Sequence, residues 1–224
     1  MIPLSRSTVM ALFVRQPVAG QVKTRLARDL GAEAACGLYR AMVADSIAQV
    51  VASGMPLVLF HDGRDDDRLP AAWVSAATRI CRQEGLSLGE RMAAAFERLF
   101  ADGADAVVLT GSDIPGIDAE LLQFAAAAVE NHDVVFAPAL DGGYCLVAAA
   151  AGRFNRAMFE GIPWSTSSVL NGTLTACEAA GLSYGLLAPR QDIDTLNDLS
   201  AYCRKPSAAA TATNAWLMSH GFLK

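Results

Sequence analysis

No stretch of this 224-residue chain is rich in lysine or arginine, and the net charge at neutral pH is −5, with an isoelectric point near 5.2. A general nucleic-acid surface needs a clustered basic face to neutralise phosphates, so that class of function is excluded. No apolar run approaches the roughly 20 residues that a membrane-spanning helix needs. The apolar run at 8–14 is also too short for a signal-peptide core, and its continuation Arg15-Gln16-Pro17 makes a poor cleavage region. The five cysteines are odd in number and scattered, with no C-x-x-C pair, which argues against both a disulfide frame and a zinc site. They read as reduced thiols of a cytoplasmic protein. Histidine is scarce too: His61, His132 and His220 are isolated, which supports neither a catalytic triad nor a histidine-based metal site. Charged residues are only 18% against 53% hydrophobic, so a disordered chain is excluded as well.

What is present is an alternation of strand-like and helix-like segments. Residues 8–14 form a continuous apolar run that ends in a Pro/Gly loop, as expected of a strand buried on both faces. A long helix over 33–53 follows, then strands near 55–60 and 78–82, with the acidic loop 62–68 between them as a solvated turn. The segment around Met92, Phe96, Leu99 and Phe100 has helical spacing. Residues 106–110 are the clearest central strand. Beyond them come a helix from Asp118, strands at 133–137 and 144–150, a helix after Trp164 capped by Ser165, and a strand near 184–187. The last helix opens at Thr195 with Asp198 in capping-box spacing. This order predicts a three-layer α/β/α fold with a mostly parallel mixed sheet. Residues 1–204 form one domain, with 205–224 a short linker and C-terminal helix packed on it. In such sheets ligands sit beyond the carboxyl ends of the strands.

The loops at those ends carry the chemistry. After the first strand, Pro17 and Gly20 shape a loop in which Lys23, Arg25 and Arg28 place cations at a helix entrance, a setting for anion binding. Gly20-x-x-Lys23-Thr24 looks like the end of a P-loop, but Val22 stands where the second glycine is required. No G-x-G-x-x-G follows any strand. Asp113, in Gly111-Ser112-Asp113, lies at the tip of the central strand, where a carboxylate either caps a turn or holds a divalent ion. Asp192 and Asp194 lie on one side of an extended segment just before a helix. If that segment meets Asp113, three hard oxygen ligands converge, which suits Mg2+ or Mn2+; otherwise the acids complement the helix dipole. Asp141-Gly142-Gly143-Tyr144 is either a hairpin turn or a place where backbone approaches a ligand. Residues 85–91 form a loop-to-helix entry that could cradle a nucleoside.

Taken in order, Pro17-Val-Ala-Gly-Gln-Val-Lys-Thr-Arg-Leu-Ala27, Gly85-Leu-Ser-Leu-Gly-Glu-Arg-Met92, Gly111-Ser-Asp-Ile-Pro115, Asp141-Gly-Gly-Tyr144, Trp164-Ser-Thr166 and Asp192-Ile-Asp-Thr195 resemble a bacterial family of GT-A-fold nucleotide-diphospho-sugar transferases. Some of its members are labelled glycosyltransferases of arsenosugar biosynthesis. Wider relatives include 2-phospholactate guanylyltransferase, the molybdenum-cofactor guanylyltransferase and CMP-sugar synthetases. The resemblance spans about residues 9–199. It implies a GT-A, Rossmann-like fold, a nucleotide substrate and a divalent cation, Mg2+ or Mn2+. It maps nucleotide binding onto Pro17, Gly20, Lys23, Arg25, Gly85, Gly89 and Ser112, with Lys23, Arg25 and Asp113 as the catalytic set. Metal binding maps onto Asp113, Asp192 and Asp194. Asp141, Gly142, Gly143, Trp164, Ser165 and Thr166 would face the acceptor.

A typical GT-A glycosyltransferase carries Asp-x-Asp at the end of the central strand, and here its first position is Gly111. That departure favours a metal-dependent nucleotidyltransferase moving an NMP from an NTP to a small phosphorylated or acidic acceptor. A glycosyltransferase using an NDP-sugar is the alternative, and a non-catalytic nucleotide-binding protein is a third reading. The expected partners are a nucleotide and a small acceptor, with no nucleic acid and no membrane, in a monomer or homodimer.

Overall fold

The computed structural model describes residues 7–63 and 69–224; part of the acidic loop read above as a solvated turn lies outside them. The elements are, in chain order, β1 (Thr8–Val14), α1 (Ala27–Leu30), α2 (Ala32–Ser53), β2 (Leu57–His61), α3 (Ala71–Ala76), β3 (Arg79–Arg82), α4 (Leu88–Ala101), β4 (Ala106–Thr110), α5 (Ala119–Ala128), β5 (Val134–Pro138), β6 (Tyr144–Ala150), α6 (Val169–Ala179), β7 (Tyr184–Leu186), α7 (Leu196–Arg204) and α8 (Thr211–Ser219). The seven strands form one sheet in the order β3-β2-β1-β4-β6-β5-β7.

All neighbouring pairs are parallel except those made by β6, which runs antiparallel to both β4 and β5. The reversal follows from the short connection between β5 and β6. Asp141 Oδ1 accepts from the Gly143 backbone N–H at 2.9 Å, and the Ala139 N–H donates to the Gly143 carbonyl, closing a hairpin that cannot join parallel strands.

Strand sequence dictates the layers. Along β1, Met10, Leu12 and Val14 enter one apolar cluster with α2, α5, α7 and α8, while Ala11 enters a second with α4 and α6. Period-two alternation with both faces apolar buries the strand on both sides, giving the three-layer α/β/α architecture. The helix after Trp164 begins three residues later than a cap at Ser165 predicts. Ser168 flanks its start, and Ser165 sits at φ +65°, a left-handed conformation incompatible with an N-cap.

The C-terminal α8 lies against α2, with Trp216 directly over Gly37, where a Cβ would come within 2.8 Å of the indole nitrogen. Asp45 of α2 is 3% exposed and accepts from the Ala212 and Thr213 backbone N–H groups at 2.8 and 2.7 Å. A carboxylate from another helix thus satisfies the orphan donors at the start of α8.

Candidate active site

The carboxyl ends of β1, β2 and β4 open into a cleft of about 550 Å3. The loop after β1 supplies Arg15, Lys23, Thr24 and Arg25; the loop after β4 supplies Ser112 and Asp113; the segment before α7 supplies Asp194. Among the described residues, four cations line the cleft (Arg15, Lys23, Arg25, Arg91) against three acids (Asp62, Asp113, Asp194). The local balance is positive in a chain whose total charge is −5, so an anionic ligand is drawn to this place.

At the centre, Lys23 Nζ lies 2.6 Å from Asp194 Oδ1 and 3.1 Å from Asp113 Oδ2. Its side chain is 4% exposed, whereas the two carboxylates are 41% and 38% exposed. Burial alone would lower the ammonium's pKa; the attraction of Asp113 and Asp194 outweighs it and raises the value above that of an ordinary lysine. Lys23 also holds φ +46°, a sparsely populated conformation for a residue with a Cβ.

Local structure fixes the acids. Ile193 is fully buried and its N–H donates to the Asp113 carbonyl at 3.2 Å, stitching the two acid-bearing segments together. The capping box of α7 completes the anchor: Asp198 Oδ2 accepts from the Thr195 N–H at 2.7 Å and the Asp194 N–H at 3.2 Å. With Ile193 in the core, Asp192 and Asp194 lie on the opposite side of the strand-like segment. Burial and the carboxylates of Asp194, Asp113 and Asp141 push the Asp192 carboxyl up to about 6, with Lys23 opposing them.

Among the described residues, no three His, Cys, Asp or Glu side chains gather closely enough to ligate an ion by themselves. Magnesium, however, takes one or two carboxylates from a protein and completes its octahedron with water and phosphate oxygens. Asp113 and Asp194 converge on a single cation, the Lys23 ammonium, so the donor set fits a two-carboxylate site.

The floor of the cleft depends on a residue that the sequence presents only as part of an apolar helix stripe. Tyr39 of α2 sends its hydroxyl up between the two loops, where it accepts from the Arg15 N–H at 2.7 Å and lies 3.2 Å from Ser112 Oγ. Burial raises its pKa, so it stays protonated. A tyrosine at a buried helical position needs a partner for its hydroxyl, which is the one sequence signal that could have singled it out. Asp62 adds a second tie, accepting from the Gln16 N–H at 3.1 Å. Gln83, another residue without a sequence signal, donates its amide to the Phe60 carbonyl at 3.0 Å and lines the cleft.

Of the residues expected at the site, Lys23, Arg25, Ser112, Asp113, Ser165 and Asp194 line the cleft together. Pro17 is buried and its carbonyl is held by Arg40 and Cys36 of α2; Gly20 is exposed at φ +80°. Neither is among the lining residues, nor are Gly85 and Asp192. Gly89 is buried under Trp164, where a Cβ would meet the indole at 2.6 Å and the Phe159 carbonyl at 2.7 Å. Gly142 packs on the Ser167 backbone, and its carbonyl accepts from the Leu170 N–H at 3.0 Å. That hairpin, Asp141 and Gly143 included, therefore buttresses the 164–168 loop. Thr166 donates to the Pro163 carbonyl at 2.7 Å. Within that loop, Ser165 is the residue that reaches the cleft.

Three comparisons bear on this geometry. No curated protein matches the chain. A crystal structure from Desulfovibrio desulfuricans G20, described as a candidate nucleotide-diphospho-sugar transferase, is 34% identical, covers 96% of each chain and superposes with a TM-score of 0.89. A nucleotidyl transferase from Methanothermobacter is 16% identical with a TM-score of 0.60, covering 94% of this chain and 99% of its own. Glucosyl-3-phosphoglycerate synthase from Mycobacterium tuberculosis, solved with Mn2+, UDP and glucosyl-3-phosphoglycerate, is 16% identical with a TM-score of 0.52, covering 98% of this chain and 81% of its own. The last two show a shared fold, the GT-A fold of nucleotidyl and glycosyl transferases. A family described as an uncharacterized protein conserved in bacteria (DUF2064) matches residues 46–166. With more than half of its length matched to that family, and a 34% identical relative spanning nearly all of it, the chain belongs to DUF2064.

Proposed function

We propose that the chain is a metal-dependent nucleotidyltransferase that moves a nucleoside monophosphate from a nucleoside triphosphate to a small phosphorylated or acidic acceptor. The supporting observation is the meeting, in one cleft, of a cationic loop carrying Lys23 and Arg25 with the converging carboxylates of Asp113 and Asp194. In this reaction an acceptor oxygen attacks the α-phosphorus, the bond from that phosphorus to the bridging oxygen breaks, and pyrophosphate departs. Arg25, exposed in the cleft and without an acid partner among the described residues, neutralises the β- and γ-phosphates. Lys23 contributes the second positive charge. Ser112, fixed by Tyr39, borders the phosphates, and the 85–89 loop lies beside the nucleoside. Ser165 faces the acceptor, on a loop held by Trp164 and the 141–143 hairpin. Asp113 and Asp194, with Asp192 behind them, would hold Mg2+ or Mn2+, which supplies charge stabilisation at the phosphate oxygens. Five free thiols, none in a disulfide, fit a cytoplasmic enzyme.

The description of the 34% identical Desulfovibrio relative favours a second reading, transfer of a sugar from an NDP-sugar. The same residues would then hold the departing nucleoside diphosphate. Gly111, where the first acid of Asp-x-Asp would stand, weighs for nucleotidyl transfer.

A thermal-shift panel of NTPs, NDPs and NDP-sugars, each with Mg2+, Mn2+ or EDTA, separates the readings, because ligands specific to the native state raise its melting temperature. We expect a metal-dependent shift with one NTP, followed by acceptor-dependent pyrophosphate release that is lost in Asp113→Asn. A shift confined to an NDP and its sugar conjugate would move the assignment to glycosyl transfer, and unchanged activity of Asp113→Asn would remove that residue from the site.

A further inference from the structure

Lys23 and Arg25 enter the same cleft from the same loop, yet their charges are used differently. Arg25 is exposed and pairs with no acid among the described residues. The Lys23 ammonium is 4% exposed and sits between Asp194 at 2.6 Å and Asp113 at 3.1 Å. An ammonium has three donors, and two of them are directed at the oxygens that the nucleotidyltransferase reading gives to a metal ion. The Lys23 ammonium therefore stands at the point where those carboxylates converge. A bare divalent ion entering this place meets a carboxylate pair whose combined charge is already cut by half, and whose nearest lone pairs are engaged. Polyphosphate changes the balance. It brings anionic oxygens to the loop that carries Lys23 and gives the ammonium a new partner. The four methylenes of the side chain let Nζ move by rotation about its own torsions.

We infer that Lys23 couples the two ligands: its ammonium holds Asp113 and Asp194 together in the nucleotide-free protein, and passes to polyphosphate oxygens as a metal takes the carboxylates. The inference rests on the nucleotide-binding reading above. No covalent bond changes; one cation is exchanged for another at the carboxylates, and the displaced charge is used again at the phosphates. The two ligands then bind cooperatively, each raising the other's affinity by the same factor.

The test compares wild type with Lys23→Met, using Mn2+ alone, inorganic triphosphate alone in EDTA, and the Mn2+–triphosphate complex, followed by paramagnetic resonance of free Mn2+ and by titration calorimetry. Wild type should bind Mn2+ alone about tenfold more weakly than Lys23→Met, and the coupling between Mn2+ and triphosphate should fall about tenfold in the variant. An equal coupling factor in both proteins would make Lys23 a fixed clasp and overturn the inference while leaving nucleotide binding intact. Failure of wild type to bind triphosphate in any combination would overturn the nucleotide reading as well. A second measurement needs no variant. Wild type labelled with 13C-lysine has Lys23, Lys205 and Lys224 to resolve. The Lys23 side-chain signal should stay in place at a Mg2+ concentration too low to bind without triphosphate, and shift when triphosphate is added at that same concentration; no shift with the bound complex would refute the exchange.

Discussion

Lys23 ties two carboxylates from distant parts of the chain, and a double-mutant cycle on Asp113 and Asp194 measures how tightly. Asp194→Asn removes the 2.6 Å ion pair and Asp113→Asn the 3.1 Å one. At an effective dielectric constant near 20, unit charges at these separations attract by about 5–6 kcal/mol before any desolvation. Both carboxylates are roughly two-fifths exposed, so solvent screens most of that attraction. Each single substitution also leaves the other acid beside the ammonium and relieves repulsion between the two. A cost of about 1 kcal/mol per single variant follows. The double variant differs in kind. It strands an ammonium that is 4% exposed, and removing the partners of a buried charge costs about 3–5 kcal/mol. The expected non-additivity is therefore about 1–3 kcal/mol. Urea unfolding of the four proteins by circular dichroism, at neutral pH in EDTA, would measure it. At about 2–4 °C per kcal/mol for a chain of this size, the double variant should melt about 10 °C below wild type. Additivity within about 0.5 kcal/mol would show that Lys23 does not depend on the two acids together, and the account of the site's centre would fall.

Three further outcomes follow from particular contacts. Asp45→Ala deprives two backbone N–H groups at the start of α8 of their acceptor and should cost about 2 kcal/mol, with amide exchange speeding up first in residues 211–219; unchanged exchange there would refute the trans-cap. Gly89→Ala forces a methyl group against Trp164 and the Phe159 carbonyl and should destabilise by about 1–3 kcal/mol with altered tryptophan fluorescence, whereas Gly20→Ala, with nothing within 4 Å, should disturb only a local φ of +80°. The hydrogen bonds from Thr195 and the Asp194 N–H overcome the desolvation of Asp198 and hold its pKa below the ordinary 3.8, so its contribution to stability is present above that value and is lost as pH falls through the folded one. The stability difference between wild type and Asp198→Ala, about 1 kcal/mol at neutral pH, should close on acidification; a difference that widens below pH 4 would contradict the sign.

Fold and site were legible in the sequence to different depths. Thr8–Val14 and Ala106–Thr110 announced themselves as apolar runs because a strand buried on both faces cannot be polar on either. The capping box at Thr195 and Asp198 was readable because its partners are three residues apart. Lys23, Arg25, Asp113 and Asp194 stand in loops beyond strand carboxyl ends, where ligands of such sheets lie. Local sequence determines such features through backbone periodicity and short-range hydrogen bonds, and these need no knowledge of what lies across the fold.

Tertiary structure decided the rest. Lys23 meets Asp113 and Asp194 across 90 and 171 residues of sequence, and nothing at either end encodes that separation. Tyr39 stands at a helix position that pattern alone gives to the core, and only the fold sets its hydroxyl between Arg15 and Ser112. Nothing near Gly89 in the sequence announces that the indole of Trp164 fills the space that a Cβ would take. The cap of α8 comes from Asp45 on another helix, and Ser165 holds a left-handed turn where a helix cap was expected. For Lys23, Tyr39, Gly89 and Asp45 the deciding contact joins residues far apart in the chain. Its energy depends on burial, and burial exists only once the layers have closed over the sheet.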